Sequence, residues 1–471
     1  MKAAIVGGGV IGGGWAARFL LNGWDVAVFD PDPEAERKIG EVLTNARRAL
    51  PAVYDRALPP EGLLSFHADM ADAVAGAAWV QESVPETLAL KHKVLPAIAA
   101  AAPDAIIGSS TSGFKPSELN AGGTAAIVAH PFNPVYLLPL VELVGDPATC
   151  TKAAEILRGI GMFPLHIRKE IDAHIADRLL EAVWREALWL VKDGIATTEE
   201  IDESIRMGFG IRWAQMGLFE TYRIAGGEAG MAHFMAQFGP ALAWPWTKLM
   251  DVPEFNDELV ALIAGQSDAQ SGHLSIRGLE RLRDDNIVGI LRALRRSGSG
   301  AGGVITAHEE SLPDLGQQDG LPVTMRRPVP VTWTDANGHM NETHYLEAGS
   351  LASDRFMAMV GADADYIAAG KSYFTVENHI RYLDEVLAGE MLTVTTQVLA
   401  GEGKRLHLLH RLWKDGKRLS ATVESLLLHT DLQTRRTSLP DEAVARKLAD
   451  WAARHAGIEA EGAGRFVGQR P

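Results

Sequence analysis

A glycine-rich turn near the N-terminus constrains the fold of this chain more than any other segment. The apolar run Lys2–Val6 has β propensity, G-G-G-V-I-G follows at residues 7–12, and a helical pattern begins at about Gly14. In a G-x-G-x-x-G turn between strand and helix, the glycines permit a tight turn, let the backbone approach a pyrophosphate, and let helix and strand pack closely. Amides at the helix N-terminus would bind the phosphates. The predicted cofactor-binding residues of this turn are Gly7, Gly9, Val10, Ile11 and Gly12.

A carboxylate follows the second predicted strand. Asp30 lies 23 residues after Gly7 (30 − 7 = 23), where it can accept hydrogen bonds from ribose hydroxyls and repel a 2′-phosphate. The sequence therefore predicts an α/β Rossmann domain over residues 1–170 that binds NAD in preference to NADP. The alternative is a glycine-rich turn beside a solvated aspartate. The predicted elements are a helical excursion over residues 34–75 and the strands Lys2–Val6, Asp25–Phe29, Ala78–Glu82, Ala105–Gly108 and Ala125–Ala129.

Three polar residues of the same domain are candidates for catalysis. Ser112 and His130 each follow a predicted strand, and Glu142 lies 12 residues beyond the histidine (142 − 130 = 12). Ligand sites of open α/β sheets lie outside the carboxyl ends of strands. A carboxylate that orients an imidazole makes the histidine a general base, provided that the chain turns back between them. The alternative is a buried, hydrogen-bonded histidine in a proline-rich loop.

The order Ser112, His130-Pro-Phe-Asn-Pro, Glu142 resembles the catalytic region of 3-hydroxyacyl-CoA dehydrogenases. The resemblance implies that His130 is the general base, that Glu142 pairs with it, and that Ser112 contacts substrate and nicotinamide. Asn133 would lie beside the cofactor and help to position the reacting groups.

A second pair of residues matches positions near the cofactor of that family. Glu86 and Lys91 stand five residues apart at the start of a predicted helix. The resemblance implies that both lie beside the cofactor. The alternative is an ion pair on an exposed helix surface.

Helical periodicity without β runs continues over residues 171–296, where the resemblance implies an all-α substrate and dimerisation domain. Asp177 stands where the family has an asparagine, and the family's CoA-binding serine and lysine are lacking around Ala46 and Val53. Both departures favour a small cationic substrate. Carboxylates and aromatic faces suit a quaternary ammonium group. The alternative is that the aromatic side chains belong to the hydrophobic core and that Asp177 pairs with an arginine such as Arg178. The predicted substrate residues are Asp177, Glu181, Trp184, Trp213 and Tyr222, with Phe219, Trp244 and Trp246 as further aromatic candidates.

With these departures, residues 1–296 resemble the carnitine dehydrogenases, a branch of the same family. The resemblance implies NAD-dependent oxidation of L-carnitine to 3-dehydrocarnitine.

Glycine and serine residues over 297–303 and a polar stretch to Gly320 predict a flexible linker over residues 297–320. Beyond it, a helix and several long strands predict an α+β hotdog domain over residues 321–456, followed by a disordered tail at 457–471. The predicted elements are the strands Pro322–Thr332, Tyr373–Tyr382, Glu390–Ala400, Arg405–Lys414 and Lys417–His429 and the helices Glu342–Val360 and Asp441–Ala456.

The loop D-A-N-G-H-M-N at residues 335–341 resembles that of hotdog-fold acyl-CoA thioesterases. Asp335 could act as base or nucleophile, with His339 and Asn341 orienting the groups and the helix N-terminus polarising the thioester carbonyl. The alternative is an Asx turn that caps the helix. The resemblance implies a homodimer and hydrolysis of betainyl-CoA to glycine betaine and CoA. Candidates for a second cation site are Trp333, Tyr345, Tyr373 and Phe374.

The composition limits partners and location. A net charge of −15 over 471 residues disfavours nucleic acid, and the apolar runs are too short for a membrane span. Cys150 is the single cysteine, which excludes internal disulfides and cysteine-based zinc sites and suits the cytoplasm. The N-terminus leads directly into a strand, so we expect no signal peptide. We also expect no resident metal. The rival hypotheses are a 3-hydroxyacyl-CoA dehydrogenase fused to a general acyl-CoA thioesterase, or to a non-catalytic hotdog module that dimerises or senses CoA esters.

Overall fold

The computed structural model describes residues 1–225, 230–238, 247–248, 254, 256–330, 333–335 and 337–465. The chain divides into two compact units. The first contains Met1–Val53 and Pro60–Ser311, and the second contains Tyr54–Pro59 and Leu312–Pro471. Among the described residues, no helix combines the length and the apolar character needed to cross a membrane.

The described part of the first unit begins with a sheet of eight strands. The strands are β1 (Lys2–Val6), β2 (Asp25–Phe29), β3 (Leu64–His67), β4 (Trp79–Glu82), β5 (Ile106–Ser109), β6 (Ile127–Pro131), β7 (Leu140–Val144) and β8 (Phe163–His166). Their order is β3-β2-β1-β4-β5-β6-β7-β8, and neighbours pair in parallel except β6 and β7, which are antiparallel. The helices between the strands are α1 (Val10–Leu20), α2 (Ala35–Val53), α3 (Met70–Val74), α4 (Leu88–Ala101), α5 (Pro116–Leu119) and α6 (Pro147–Gly159).

The predicted strands of this unit are confirmed to within two residues at either end. The interpretation of residues 34–75 as helical is wrong in one place, because β3 lies between α2 and α3. β3 is the edge strand of the sheet, and its residues are partly or fully exposed. An exposed edge strand lacks the apolar run that identified the buried strands.

The other elements that the structure describes in the first unit are helical, as predicted for residues 171–296. These elements are α7 (Ala176–Lys192), α8 (Thr198–Ser204), a π-helical turn (Ile205–Phe209), α9 (Gly210–Ala225), α10 (Gly230–Phe238), α11 (Asp257–Ser271), α12 (Ile276–Ser297) and α13 (Ala301–Ser311). Helix α12 packs against α2 of the sheet domain, and ion pairs join Arg277 to Glu41 and Arg48 to Asp285.

The prediction of a flexible linker over residues 297–320 is wrong for its first half. Gly298 ends α12 in the left-handed conformation, with φ of 63°, and the chain reverses into α13, which packs against α12. At Gly302 a Cβ atom would overlap the carbonyl group of Leu294. The glycines that suggested flexibility therefore permit a close helix–helix turn. The division between the units falls within the predicted linker range, and the other predicted domain boundaries stay predictions.

The second unit contains an antiparallel sheet and a long helix packed against it. The elements are β9 (Gln317–Gln318), β10 (Leu321–Pro328), α14 (Glu342–Val360), α15 (Ala364–Ala368), β11 (Lys371–Tyr382), β12 (Met391–Glu402), β13 (Arg405–Lys414), β14 (Arg418–Asp431), β15 (Arg436–Thr437) and α16 (Glu442–His455). The strand order is β11-β14-β13-β12-β10-β9, and β15 pairs with β14. This arrangement confirms the predicted hotdog fold. Residues 466–471 of the predicted tail lie outside the described residues.

The close turn between α12 and α13 gives a stability prediction. Gly302→Ala should lower the free energy of unfolding by about 1–3 kcal/mol, because the added methyl group forces α13 away from α12. Gly303→Ala is the matched control, since its Cβ would meet its nearest neighbour, the Gly298 carbonyl oxygen, at 3.6 Å. We expect the control to be neutral or to stabilise helix α13 by about 0.5–1 kcal/mol. Denaturant unfolding measures both variants, and equal stability would contradict the tight packing.

Candidate active sites

The glycine turn has the geometry that its sequence predicted. Gly7 has φ of 105°, in the region that favours glycine. A Cβ atom at Gly12 would overlap the carbonyl oxygen of Gly7, so helix α1 approaches the turn closely. The carboxylate of Asp30 lies beside the turn, where it accepts hydrogen bonds from the amides of Gly8 and Asp32.

The N-terminus of α1 is open to a ligand. Gly9 precedes the helix without a side-chain cap, and the first helical turn contains no acidic residue. A Cβ atom at Gly9 would have no atom within 4 Å in the part of the chain that the structure describes. Val10 is 60% exposed, and Asn133 lines the same groove as Gly9 and Val10. Free amides, open space and a carboxylate at the end of β2 fit the pyrophosphate and ribose of NAD.

Glu86 organises the loop that carries Ser112. Its Oε1 atom accepts hydrogen bonds from the amides of Ser112 and the following glycine, both at 3.1 Å, and from the hydroxyl of Thr111. Lys91 is buried and forms ion pairs with Glu86 at 3.2 Å and Glu82 at 2.9 Å. Burial alone would raise the pKa of Glu86, but the Thr111 hydroxyl and the Lys91 charge lower it overall. The alternative of an exposed helix pair is therefore wrong, while contact of Glu86 and Lys91 with the cofactor stays a prediction.

His130 and Glu142 lie directly opposite each other on β6 and β7. The chain turns back between them as the general-base hypothesis requires, and His130 Nδ1 lies 3.0 Å from Glu142 Oε2. The other carboxylate oxygen accepts hydrogen bonds from the amides of Ile175 and Ala176 at 3.0 and 2.9 Å, at the start of α7.

These contacts determine which atoms of His130 and Glu142 carry a hydrogen. Burial alone would raise the pKa of Glu142, but the hydrogen bonds from His130 and the two helix amides lower it overall. An ionised carboxylate only accepts hydrogen bonds, so His130 Nδ1 carries the hydrogen. The lone pair of His130 Nε2 is then available to accept a proton.

Asp177 lies on the reactive side of His130. Its Oδ2 atom is 3.7 Å from His130 Nε2, beyond hydrogen-bond distance, and its side chain is 19% exposed. Burial, with a further contribution from the Glu142 charge, raises the pKa of Asp177. Arg178, considered above as a partner of Asp177, donates to the carbonyl of Asp172 at 3.4 Å. The structure therefore brings a second carboxyl group to the His130–Glu142 pair.

The other predicted substrate residues make different contacts. Glu181 forms an ion pair with Arg185 at 3.0 Å, and Trp184 is 57% exposed. Trp213 and Tyr222 each contact a neighbouring phenylalanine ring, with centroids 4.6 Å apart. Their role in binding a cation stays a prediction. Two further aromatic candidates, Trp244 and Trp246, lie outside the described residues.

His174 was not among the predicted site residues. It is fully buried, and its ring centroid lies 5.5 Å from that of His130. It stands three residues before Asp177, which was a predicted substrate residue. Its distance from His130 in the chain concealed their contact.

In the second unit, Asp335 forms the Asx turn that was the alternative interpretation of its loop. Its Oδ1 atom accepts hydrogen bonds from the amides of Asn337 at 2.8 Å and His339 at 3.2 Å. The backbone hydrogen bond from Asn337 lowers the pKa of Asp335, so an exposed, ionised carboxylate lies just before α14. Asn341 caps α14 through its side chain, and His339 Nε2 lies 3.4 Å from a carboxylate oxygen of Glu385. The turn and a catalytic role for Asp335 are compatible.

The four aromatic candidates for a second cation site do not form one cage. Trp333 and Tyr345 belong to one buried cluster and Tyr373 to another, while Phe374 is 40% exposed. Tyr373 and Phe374 are consecutive residues of β11, and consecutive strand residues point to opposite faces. The guanidinium of Arg327 lies 4.7 Å from the Trp333 ring centroid. The prediction of a single site from these residues is therefore wrong.

Comparison with known families divides the chain in the same way. Residues 2–171 match the NAD-binding domain of 3-hydroxyacyl-CoA dehydrogenase, and residues 174–255 match the C-terminal domain of that enzyme. Residues 329–448 match the thioesterase-like superfamily.

One curated relative resembles the whole chain, and another relative and a solved structure each resemble about three fifths of it. The L-carnitine dehydrogenase/betainyl-CoA thioesterase of Ruegeria pomeroyi is 66% identical over 481 residues, covering 99% of each chain. The L-carnitine dehydrogenase of Pseudomonas putida is 51% identical over 305 residues, covering 62% of this chain and 94% of its own. The NAD-dependent 5-formyl-3-hydroxy-2-methylpyridine 4-carboxylic acid 5-dehydrogenase, a dismutase, is 27% identical with a TM-score of 0.52, and covers 62% of this chain and 98% of its own.

The glycine turn gives a prediction that separates ligand binding from folding. Gly9→Ala should weaken NAD binding at least about tenfold, equivalent to roughly 1.4 kcal/mol, because its methyl group enters the open space at the α1 N-terminus. Its stability should equal that of the wild type. Gly12→Ala, in contrast, should lower the stability of the protein in addition to weakening NAD binding, because its methyl group meets the backbone of Gly7. Isothermal titration with NAD and thermal unfolding measure the two effects, and normal NAD binding by Gly9→Ala would contradict this assignment.

Proposed function

The chain belongs to the family of L-carnitine dehydrogenase/betainyl-CoA thioesterases, and on this premise we propose how its two units act. The first unit oxidises L-carnitine to 3-dehydrocarnitine with NAD. The second unit hydrolyses betainyl-CoA to glycine betaine and CoA. The observation that carries the proposal is the position of Asp177, 3.7 Å from the Nε2 atom of the His130–Glu142 pair.

His130 acts as the general base of the oxidation. Its Nε2 atom accepts the proton of the C3 hydroxyl, and Glu142 stabilises the imidazolium that forms, since it already holds the Nδ1 hydrogen. Bound NAD supplies the acceptor for the hydride from C3. Ser112 and Asn133 position the reacting groups, and this role is supported by the fixed loop of Ser112 and the exposure of Asn133 in the cofactor groove.

Asp177 selects the cationic substrate. The quaternary nitrogen of carnitine is attached to C4, next to the reacting carbon C3. A carboxylate beside His130 Nε2 is therefore close to the trimethylammonium group when the C3 hydroxyl meets the base. That group cannot donate strong hydrogen bonds, so charge and aromatic faces must recognise it. Glu181, Trp184, Trp213 and Tyr222 are the proposed further contacts.

Asp335 activates the attacking water, or attacks directly, in the second unit. This role is supported by its low pKa and by its position just before α14, whose N-terminal amides and dipole favour negative charge on the thioester oxygen. His339 and Asn341 orient the groups. Both proposed substrates carry trimethylammonium, which gives a reason for the two activities to share one chain.

We also propose that the chain forms a homodimer and acts in the cytoplasm. The dimer is supported by exposed apolar side chains on α7 and α9, because large exposed apolar surfaces mark interaction sites. These side chains are Leu179, Leu180, Trp184, Ile211 and Phe219. The location is supported by the single cysteine, Cys150.

The oxidation is tested with substrates that differ in charge. Wild-type protein should form NADH with L-carnitine and not with D-carnitine or 3-hydroxybutyryl-CoA. Asp177→Asn should lower the ratio of kcat/KM for L-carnitine to that for 3-hydroxybutyrate about thirtyfold, because a partly buried charge partner worth roughly 2 kcal/mol is lost. The ratio cancels effects on His130, which acts on both substrates.

Asp172→Asn is the matched control for Asp177, since its carboxylate is paired with Lys115 at 2.7 Å and is not among the proposed substrate contacts. We expect this variant to change the ratio much less. Preference of the wild type for 3-hydroxybutyryl-CoA, or an unchanged ratio in Asp177→Asn, would refute the cationic-substrate proposal.

Thioester hydrolysis is tested by two substitutions of one residue. Asp335→Asn retains the side-chain oxygen that accepts the turn hydrogen bonds but loses the carboxylate charge. Asp335→Ala loses both. We expect each variant to lower betainyl-CoA hydrolysis by about a hundredfold or more and to leave NADH formation unchanged. An active Asp335→Asn beside an inactive Asp335→Ala would mean that the turn matters and the charge does not. Loss of both activities would contradict two independent sites.

A further inference from the structure

One short segment contacts both the Ser112 loop and the His130–Glu142 pair. Within residues 173–177, the imidazole of His174 forms a hydrogen bond from Nε2 to the carbonyl oxygen of Thr111 at 3.1 Å. The two amides that follow bind Glu142, and the last residue of the segment approaches His130. The segment therefore joins the loop before Ser112 to the catalytic pair.

The contacts of His174 define its protonation. A carbonyl oxygen only accepts hydrogen bonds, so Nε2 must carry the hydrogen that it donates to Thr111. The side chain is fully buried, and Nδ1 has no hydrogen-bond partner among the described residues. A hydrogen on Nδ1 would be buried without an acceptor, which is costly. Burial accordingly lowers the pKa of His174, and the ring is neutral.

The backbone of the segment is held in an uncommon conformation. Ala173 and His174 have φ values of 57° and 50°, in the left-handed region that side chains other than glycine rarely adopt. Such residues persist where surrounding contacts determine their conformation. Here the amide of Ala173 donates to the carbonyl of Gly113 at 3.3 Å, on the same loop that His174 binds.

We propose that His174 is a positioning residue for the dehydrogenase reaction, which holds the Ser112 loop against the His130–Glu142 pair through a hydrogen bond to Thr111. The identity of the reaction rests on the function proposed above, whereas the positioning role does not depend on the substrate.

The neutrality of His174 is part of its role. His130 becomes positively charged when it accepts the substrate proton, and the two ring centroids are 5.5 Å apart. A second positive charge at this distance would oppose that step. The ionisable groups that face His174 are His130 on β6, Glu142 on β7 and Asp177 on α7. A neutral donor therefore holds the loop without disturbing the base.

Three variants of the full-length protein test the proposal. His174→Phe keeps a ring but loses the donor, and should lower kcat for L-carnitine oxidation about tenfold, the effect of roughly one hydrogen bond. The KM for NAD should be unchanged, because the glycine turn is untouched. His174→Gln restores a neutral N–H donor and should recover most of kcat. His92→Phe is the matched control, since His92 also bonds to a backbone carbonyl, that of Glu118, at 2.7 Å, and it should behave as the wild type.

A pH profile tests whether His174 is neutral during the reaction. If His174 is neutral throughout the working range, the acid limb of kcat/KM should be the same for wild type and His174→Gln, because neither a neutral imidazole nor a glutamine amide places a charge beside the reacting groups. A shifted limb would overturn the neutral role. Full activity of His174→Phe, or equal impairment of His174→Gln and His174→Phe, would overturn the positioning role.

Two further measurements distinguish failure of the positioning proposal from failure of the proposed function. Thioester hydrolysis and NAD binding should be normal in every variant, and loss of NAD binding in His174→Phe would indicate general damage and overturn the proposal. If wild-type protein oxidises 3-hydroxybutyryl-CoA and not L-carnitine, the proposed function fails. The same variants are then compared on that substrate, and the result still decides the role of His174.

Discussion

The first unit depends on the hydrogen bonds that the buried carboxylate of Glu142 accepts. A buried carboxylate is strongly unfavourable unless hydrogen bonds and an opposite charge compensate its lost hydration. Glu142 receives the Nδ1 hydrogen of His130 on one oxygen and two amides at the start of α7 on the other. The antiparallel pairing of β6 with β7 and the start of α7 therefore meet at one side chain, and the hydrogen bond between Glu142 and His130 also orients the proposed general base.

The same principle appears at the loop of Ser112. Glu86 binds the loop amides, and buried Lys91 compensates the charges of Glu86 and Glu82. His174 holds the loop from the helical side through the carbonyl of Thr111. Polar groups that would be costly if left unpaired thus define the positions of the reacting residues. In the second unit, the turn formed by Asp335 likewise stabilises the loop and places a carboxylate just before helix α14.

Much of this arrangement follows from the order of residues along the chain. Few other structures are compatible with the spacing of strand, glycine turn and helix at residues 2–20. The buried strands were identified by their apolar runs. His130 and Glu142 were predicted as a pair because their region resembles the catalytic region of 3-hydroxyacyl-CoA dehydrogenases. Helix Glu342–Val360 was predicted with the ends that the structure has. The edge strand β3 was missed because exposure removes its apolar signal.

Local sequence by itself determined the nucleotide turn and the helical and sheet character of the units, because each depends on periodicity or short spacing. Resemblance to a family indicated His130 and Glu142. Tertiary structure decided the rest, because contacts between distant residues leave no local pattern. It turned the glycines after α12 into a close helix reversal, separated Tyr373 and Phe374 onto opposite faces of β11, and buried Lys91 between two carboxylates. It also brought His174 and Asp177 to His130, more than 40 residues earlier in the chain, since a buried site is completed by whichever segment folds back to cover it.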